Sequence, residues 1–246
     1  MGMSDRKRVY FISQMAEPGR IDPDVYADAP GGEDEVHWFS LMLGRVGVLD
    51  RIDFRGCHVT RGDSLPEFDD LDGVFLGGSY HMVDEDLPWQ RNLQAWLTAY
   101  RETAKPLMGI CGGHQQMATI LGANVGPLGG DPMAASLPVD VTDDGRDHYL
   151  FDGLNGQPHF HFGNFEHVKA APEGARVLAV RPEMPAMALD YGGNWVSVQF
   201  HPEADHEIFA CSWRGSHPEY MKNYKPLPEA PLMLVNFLTA MELLAD

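Results

Sequence analysis

The sequence is short of positive charge: 18 Lys and Arg stand against 36 Asp and Glu, a formal net charge of −18. That balance argues against nucleic acid or an anionic membrane surface as the main partner, because binding phosphate takes clustered cations. The excess acid reads as a solvated surface. Cysteine is scarce too. Cys57, Cys111 and Cys211 are an odd set, unlike a disulfide framework, and a reducing cytoplasm is the expected setting. No apolar run approaches the roughly 20 residues that span a bilayer. Residues 1–8 are polar, without the apolar centre of a signal peptide. Internal repeats, low-complexity linkers and a G-x-x-x-x-G-K-[ST] phosphate loop are absent as well.

What is present suits a globular chain able to bury a sizeable core, expected as one domain over residues 1–246. Residues 9–12 read as a buried strand, followed by a loop over 14–34 rich in Pro, Gly and Asp. Residues 33–46 carry Val36, Phe39, Leu43 and Val46 at helical spacing. A second strand is predicted over 48–54 and a third over 73–76, the latter stopping at Gly77-Gly78-Ser79. A helix over 88–101 starts at Pro88 and groups Trp89, Leu93, Trp96, Leu97 and Tyr100 on one face. Another short strand and a helix closed by Gly122 follow. This alternation predicts an α/β fold, an open and mostly parallel sheet covered by helices on both faces. Segments 134–141, 158–169, 176–180, 186–190 and 195–200 look like further strands, a meander partly continuing the sheet. Residues 208–231 are irregular and aromatic, and 231–244 read as an amphipathic helix.

The chain is organised around Gly109-Ile110-Cys111-Gly112-Gly113-His114-Gln115. A cysteine between glycines, where a strand turns into a helix, has the form of a nucleophile elbow, and glycine relieves the crowding of that turn. The helix aims free N–H groups and its positive dipole end at the sulfur. A base and an orienting group are found in Gln199-Phe200-His201-Pro202-Glu203. An apolar strand delivers His201 at its carboxyl end, and Glu203 is near enough to bond the second ring nitrogen. Alone, His-Pro-Glu would be an exposed turn; with the elbow it becomes specific. Ligands in open α/β sheets bind at carboxyl ends of strands, where Gly77-Gly78 and Cys111 also fall.

Together these two motifs resemble the class I, triad-type glutamine amidotransferases, from about Val9 to about Glu203. The resemblance implies a flavodoxin-like fold and hydrolysis of the side-chain amide of glutamine, without metal or cofactor. It implies that Cys111 attacks the γ-carboxamide carbon, that His201 moves the protons and that Glu203 holds His201. The N–H groups of Gly78 and Gly112 would form the oxyanion hole, with Gly77 beside them as a substrate contact. Gln115 matches a position that binds the amino-acid end of the substrate. Gly77-Gly78-Ser79 followed by Asp84-Glu85-Asp86-Leu87-Pro88-Trp89 is closest to stand-alone relatives of the amidotransferase domain of GMP synthetase. His161-Phe162-Gly163-Asn164 departs from that group's His-Gly-Asp turn, and no substrate contact is assigned there. Segments 14–34 and 208–231 are extra, and either overhang the site or decorate the surface.

Other residues have plainer readings. His159 and His161 are expected to pack or hydrogen-bond rather than hold a metal, and His114 to stand behind the site. Cys57 and Cys211 read as structural thiols, and the Trp89, Trp96 and Tyr100 face as packing. The expected activity is glutamine hydrolysis, its ammonia passing to a separate synthetase chain, since the sequence ends at Asp246 without an ATP-binding module. The alternatives are a self-sufficient hydrolase of substituted γ-glutamyl amides and a non-catalytic binding or regulatory relative.

Overall fold

The computed structural model describes residues 6–245; most of the polar leading segment, residues 1–5, lies outside the described residues. The first half runs β1 (Arg8–Ser13), α1 (Glu35–Arg45), β2 (Asp53–His58), β3 (Gly73–Leu76), α2 (Pro88–Arg101), β4 (Leu107–Ile110) and α3 (Gly112–Ile120). The second half begins with β5 (Val125–Pro127), β6 (Met133–Pro138), β7 (Asp140–Val141), α4 (Asp143–Arg146), β8 (His159–Asn164) and β9 (Glu166–Val168). It closes with β10 (Arg176–Arg181), β11 (Met184–Asp190), β12 (Trp195–Val198), α5 (His206–Ser212) and α6 (Leu232–Ala240).

An 8-stranded sheet has the order β2-β1-β3-β4-β12-β11-β10-β7. The strands from β2 to β12 in that order are parallel, and β11, β10 and β7 continue it antiparallel. This is the open α/β sheet predicted from the alternation, with part of the meander attached. The rest of the meander leaves the main sheet as two antiparallel pairs, β5 with β9 and β6 with β8. On one face α1 and α6 bury Phe39 and Phe237 against Phe11 and Phe75. On the other, α2 and α3 bury Leu93, Leu97, Tyr100 and Met117 against Leu76, Leu107 and Trp195. Covering both faces explains why the central strands β3, β4 and β12 are buried throughout.

The second strand is a correction. Residues 48–54 do not form it; Leu49–Arg51 is a 3₁₀ turn and the strand lies later, at Asp53–His58. Val48 and Ile52, both buried, point into the core from that turn and imitate a strand's apolar run. The true strand is the sheet edge, half-exposed and polar, so hydrophobicity did not mark it. The last helix also ends early, at Ala240, because Glu242 adopts φ 53.

No helix among the described residues is long and apolar enough to cross a membrane.

Candidate active site

The elbow begins with β4, hydrogen-bonded between β3 and β12, from which the chain passes through Cys111 straight into α3. Cys111 has φ 51 and ψ −105, a conformation that side chains rarely adopt and that costs about 1–3 kcal/mol. The surroundings fix it. Its N–H donates to Val198 O at 2.8 Å, Gln115 N–H donates to Cys111 O at 3.0 Å, and Gly113 N–H donates to Gly77 O at 3.0 Å. The flanking glycines permit this close packing. A Cβ on Gly112 would stand 2.8 Å from Ser79, and one on Gly113 would collide with the Leu76 carbonyl oxygen. The sulfur therefore sits at the N-terminus of α3, at the positive end of its dipole.

His201 lies just past β12, its N–H donating to His161 O at 3.0 Å. Its Nδ1 is 2.6 Å from Glu203 Oε1, and both side chains are buried. Burial pushes the imidazole toward neutrality, but the charges of Glu203 and Cys111, with hydrogen bonds to both, outweigh it and hold the ring well above 6.5. The structure thus brings Cys111, His201 and Glu203 together around one cavity.

Gly78 adjoins the same group: a Cβ there would lie 3.1 Å from His201 Cε1 and 3.9 Å from Cys111 Cβ. Its N–H is not idle, for it donates to Glu35 Oε1 at 3.1 Å. Gly112 opens α3, so its N–H has no intrahelical acceptor. Gly77 does not line the cavity. Its N–H and carbonyl are committed to Ile12 O and Gly113 N–H, and it braces the elbow from behind. Gln115 does line it, with Nε2 donating to Glu166 O at 3.0 Å and to Gln199 Oε1 at 3.2 Å. Gln199 Nε2 in turn reaches Cys111 Sγ at 3.5 Å.

Glu35 and Gln199 are absent from the roles assigned by sequence. Gln199 stood inside the quoted motif without a function. Glu35 had a signal: with Phe39 and Met42 it forms a buried helical stripe, and a carboxylate on such a stripe demands a partner.

The extra segments form the cavity's walls. Val25 and Tyr26 come from 14–34, and Ile208, Phe209 and Trp213 from 208–231. They meet through the Asp28–Arg214 ion pair at 2.9 Å, and Trp213 Nε1 donates to Tyr224 OH at 2.6 Å. Phe209 packs edge-on against His201, with centroids 4.5 Å apart. The cavity volume is about 450 Å³.

His114, His161 and His159 do not line the cavity. His114 bonds Ser197 Oγ at 2.6 Å behind the elbow, and burial pushes it down to about 3. His161 bonds Ser136 Oγ at 3.0 Å and is likewise pushed down to about 3, by burial and then by the neighbouring His201. His159 bonds Gln157 O at 3.2 Å. Among the described residues no group of three or more His, Cys, Asp or Glu is placed to hold a metal. Asn164 lines the cavity and donates to Glu166 O at 2.9 Å. Trp96 stacks on Tyr100 at 4.7 Å within the helix packing.

Among known proteins, the pattern of the family described as glutamine amidotransferase class-I matches residues 55–212. GMP synthase (glutamine-hydrolyzing) of Aeropyrum pernix is 30% identical over 212 residues, covering 83% of this chain and 37% of that relative. A subunit of the glutamine-hydrolyzing GMP synthase of Ignicoccus hospitalis is 32% identical over 142 residues, 57% of this chain and 71% of the relative. This chain thus spans little more than a third of the Aeropyrum protein. The crystal structure of a glutamine amidotransferase from Thermotoga maritima superposes with a TM-score of 0.74 at 17% identity, covering 96% of this chain and 98% of the other. That likeness concerns the fold. Matched over more than half its length and related to the glutamine-hydrolysing GMP synthases, the chain belongs to the class I glutamine amidotransferase family.

Proposed function

We propose that this chain hydrolyses a γ-glutamyl amide, glutamine first, through a γ-glutamyl thioester on Cys111. The observation that carries the reading is the strained Cys111 elbow facing the His201–Glu203 pair inside one cavity. His201 Nε2 takes the Cys111 thiol proton as the sulfur attacks the γ-carboxamide carbon, forming the S–C bond while the carbonyl electrons move onto oxygen. The N–H groups of Gly112 and Gly78 receive that oxyanion; such donors typically contribute about 3–4 kcal/mol. Collapse breaks the C–N bond, and His201 Nε2 gives its proton to the departing ammonia. Glu203, bonded to Nδ1, fixes the tautomer and stabilises the imidazolium. Water then attacks the thioester, His201 takes its proton, and glutamate leaves with the thiol restored.

In this reading residues 1–246 work as one amidotransferase domain in the cytoplasm, without metal or cofactor. The ammonia passes to a separate synthetase chain, a reading supported by the Ignicoccus relative being one subunit of its enzyme. A second reading is favoured by the walls built from 14–34 and 208–231: a substrate larger than glutamine. A cavity of about 450 Å³ falls within the roughly 300–1,000 Å³ of pockets that take drug-sized ligands.

The test compares ammonia release from glutamine with amine release from a panel of γ-glutamyl amides, using wild type and Cys111→Ala. Glutaminase activity appearing only with a co-purifying synthetase supports the first reading, and much faster turnover of a substituted amide the second. Turnover of nothing, with or without a synthetase, leaves the non-catalytic relative.

A further inference from the structure

Glu35 is 6% exposed and extends from the first turn of α1 beneath the loop that follows β3. Its Oε1 takes the Gly78 N–H at 3.1 Å, and its Oε2 has no hydrogen-bond partner. The fit is close: a Cβ on Gly77 would lie 2.7 Å from Oε1. A Cβ on Gly78 would lie 3.1 Å from His201 Cε1, 3.7 Å from Glu35 Oε1 and 3.9 Å from Cys111 Cβ, so one backbone donor stands between the nucleophile and a buried carboxyl.

We propose that Glu35 is a positioning residue for the oxyanion donor: its carboxyl holds the Gly78 N–H in the resting site and, as a neutral acid, yields it to the tetrahedral oxygen. The inference rests on the Cys111 chemistry above. A neutral carboxyl accepts weakly through its carbonyl oxygen, so a full oxyanion wins the N–H. An ionised carboxylate competes for the same proton and sets a like charge beside the developing one. The charges and titratable groups facing Glu35 are Glu203 and His201 beyond β12, Tyr26 in the wall segment and Tyr80 in the loop after β3. Burial pushes the Glu35 carboxyl up to about 8, reinforced by Glu203 and opposed by the nearby Ser13 hydroxyl, the Gly78 N–H and His201. Around neutral pH the proton is mostly on.

The experiment measures kcat and kcat/KM against pH, with glutamine as probe, for wild type, E35Q, E35A and C111A. Wild-type kcat/KM should fall as pH rises through about 8, and E35Q should lack that limb. E35A should lose at least about tenfold in kcat with little change in KM, less than the 10²–10³ for removing a donor outright. E35Q should restore most of that loss. If C111A is dead while E35Q and E35A keep the wild-type pH profile, the Glu35 inference is overturned and the Cys111 reading stands. If C111A remains active, the Cys111 reading itself fails. Should E35A not fold, the Gly78 amide resonance decides: it should titrate with Glu35 in wild type and stay flat in E35Q, and a Gly78 signal that titrates identically in both overturns the proposal.

Discussion

His201 Nδ1 lies 2.6 Å from Glu203 Oε1, and the two side chains leave one turn two residues apart. A bond this local costs little chain entropy, yet both partners are buried, so its electrostatic effect is large. Burial alone would neutralise the imidazole; Glu203 is the first of the charges that offset it. Glu203→Gln should therefore lower the His201 pKa, seen as a lower titration midpoint of the ring by NMR. It should also cut kcat by up to about 10⁴-fold, the loss when a triad's orienting carboxylate is replaced by its amide.

The three thiols differ in environment. Burial pushes Cys57 up to about 12, and burial also raises Cys211, whereas Cys111 sits on a helix N-terminus beside His201. Limited alkylation near neutral pH should mark Cys111 and spare the other two, read by peptide mass spectrometry. A glutamine-like electrophile such as diazo-oxo-norleucine should give the same pattern.

The elbow was legible in the sequence because its glycines and cysteine follow from local sterics. A strand, a positive φ and a helix start leave room for only small residues around Cys111. His201 and Glu203 were legible because an apolar strand must end at the same sheet edge. The edge strand β2 was hidden, since its half-exposed residues carry no apolar alternation while the adjacent 3₁₀ turn does. The helical stripe signalled a buried carboxylate at Glu35, but its role was hidden because its partner is a backbone N–H more than 40 residues away, which spacing on a helix does not reveal. The walls formed by 14–34 and 208–231 were visible as extra length, but their placement depends on tertiary contacts such as Asp28–Arg214.

Gly113→Ala should be costly, because its Cβ would collide with the Leu76 carbonyl oxygen, a backbone atom with little freedom to move. A loss of about 1–3 kcal/mol is expected in chemical denaturation, together with reduced kcat as the elbow shifts. Gly130→Ala is the control. Nothing lies within 4 Å of a Cβ there, and the change should stay within about 0.5 kcal/mol.

The wall residue Trp213 is buried and hydrogen-bonded to Tyr224, whose OH donates to Phe162 O at 2.6 Å. If the cavity takes a bulky amine, Trp213→Phe should raise KM for that γ-glutamyl amide by about tenfold while leaving glutamine nearly unaffected. Equal changes for both substrates would place Trp213 outside the specificity of the site.

The buried Glu35 also links stability to pH. Its carboxyl ionises at 4.5 when unhindered and near 8 in the folded site. Between those values the native state keeps a proton that the unfolded chain has released. Its contribution to stability is therefore complete below about pH 4.5 and is lost as pH rises through about 8. Glu35→Gln has no such proton to lose and presents the same shape to Gly78. The melting temperature of E35Q should lie close to that of wild type near pH 5 and rise progressively above it toward pH 9, measured by calorimetry in matched buffers. Parallel curves across that range would mean that Glu35 folds already ionised, and the neutral acid required at Gly78 would be lost with it.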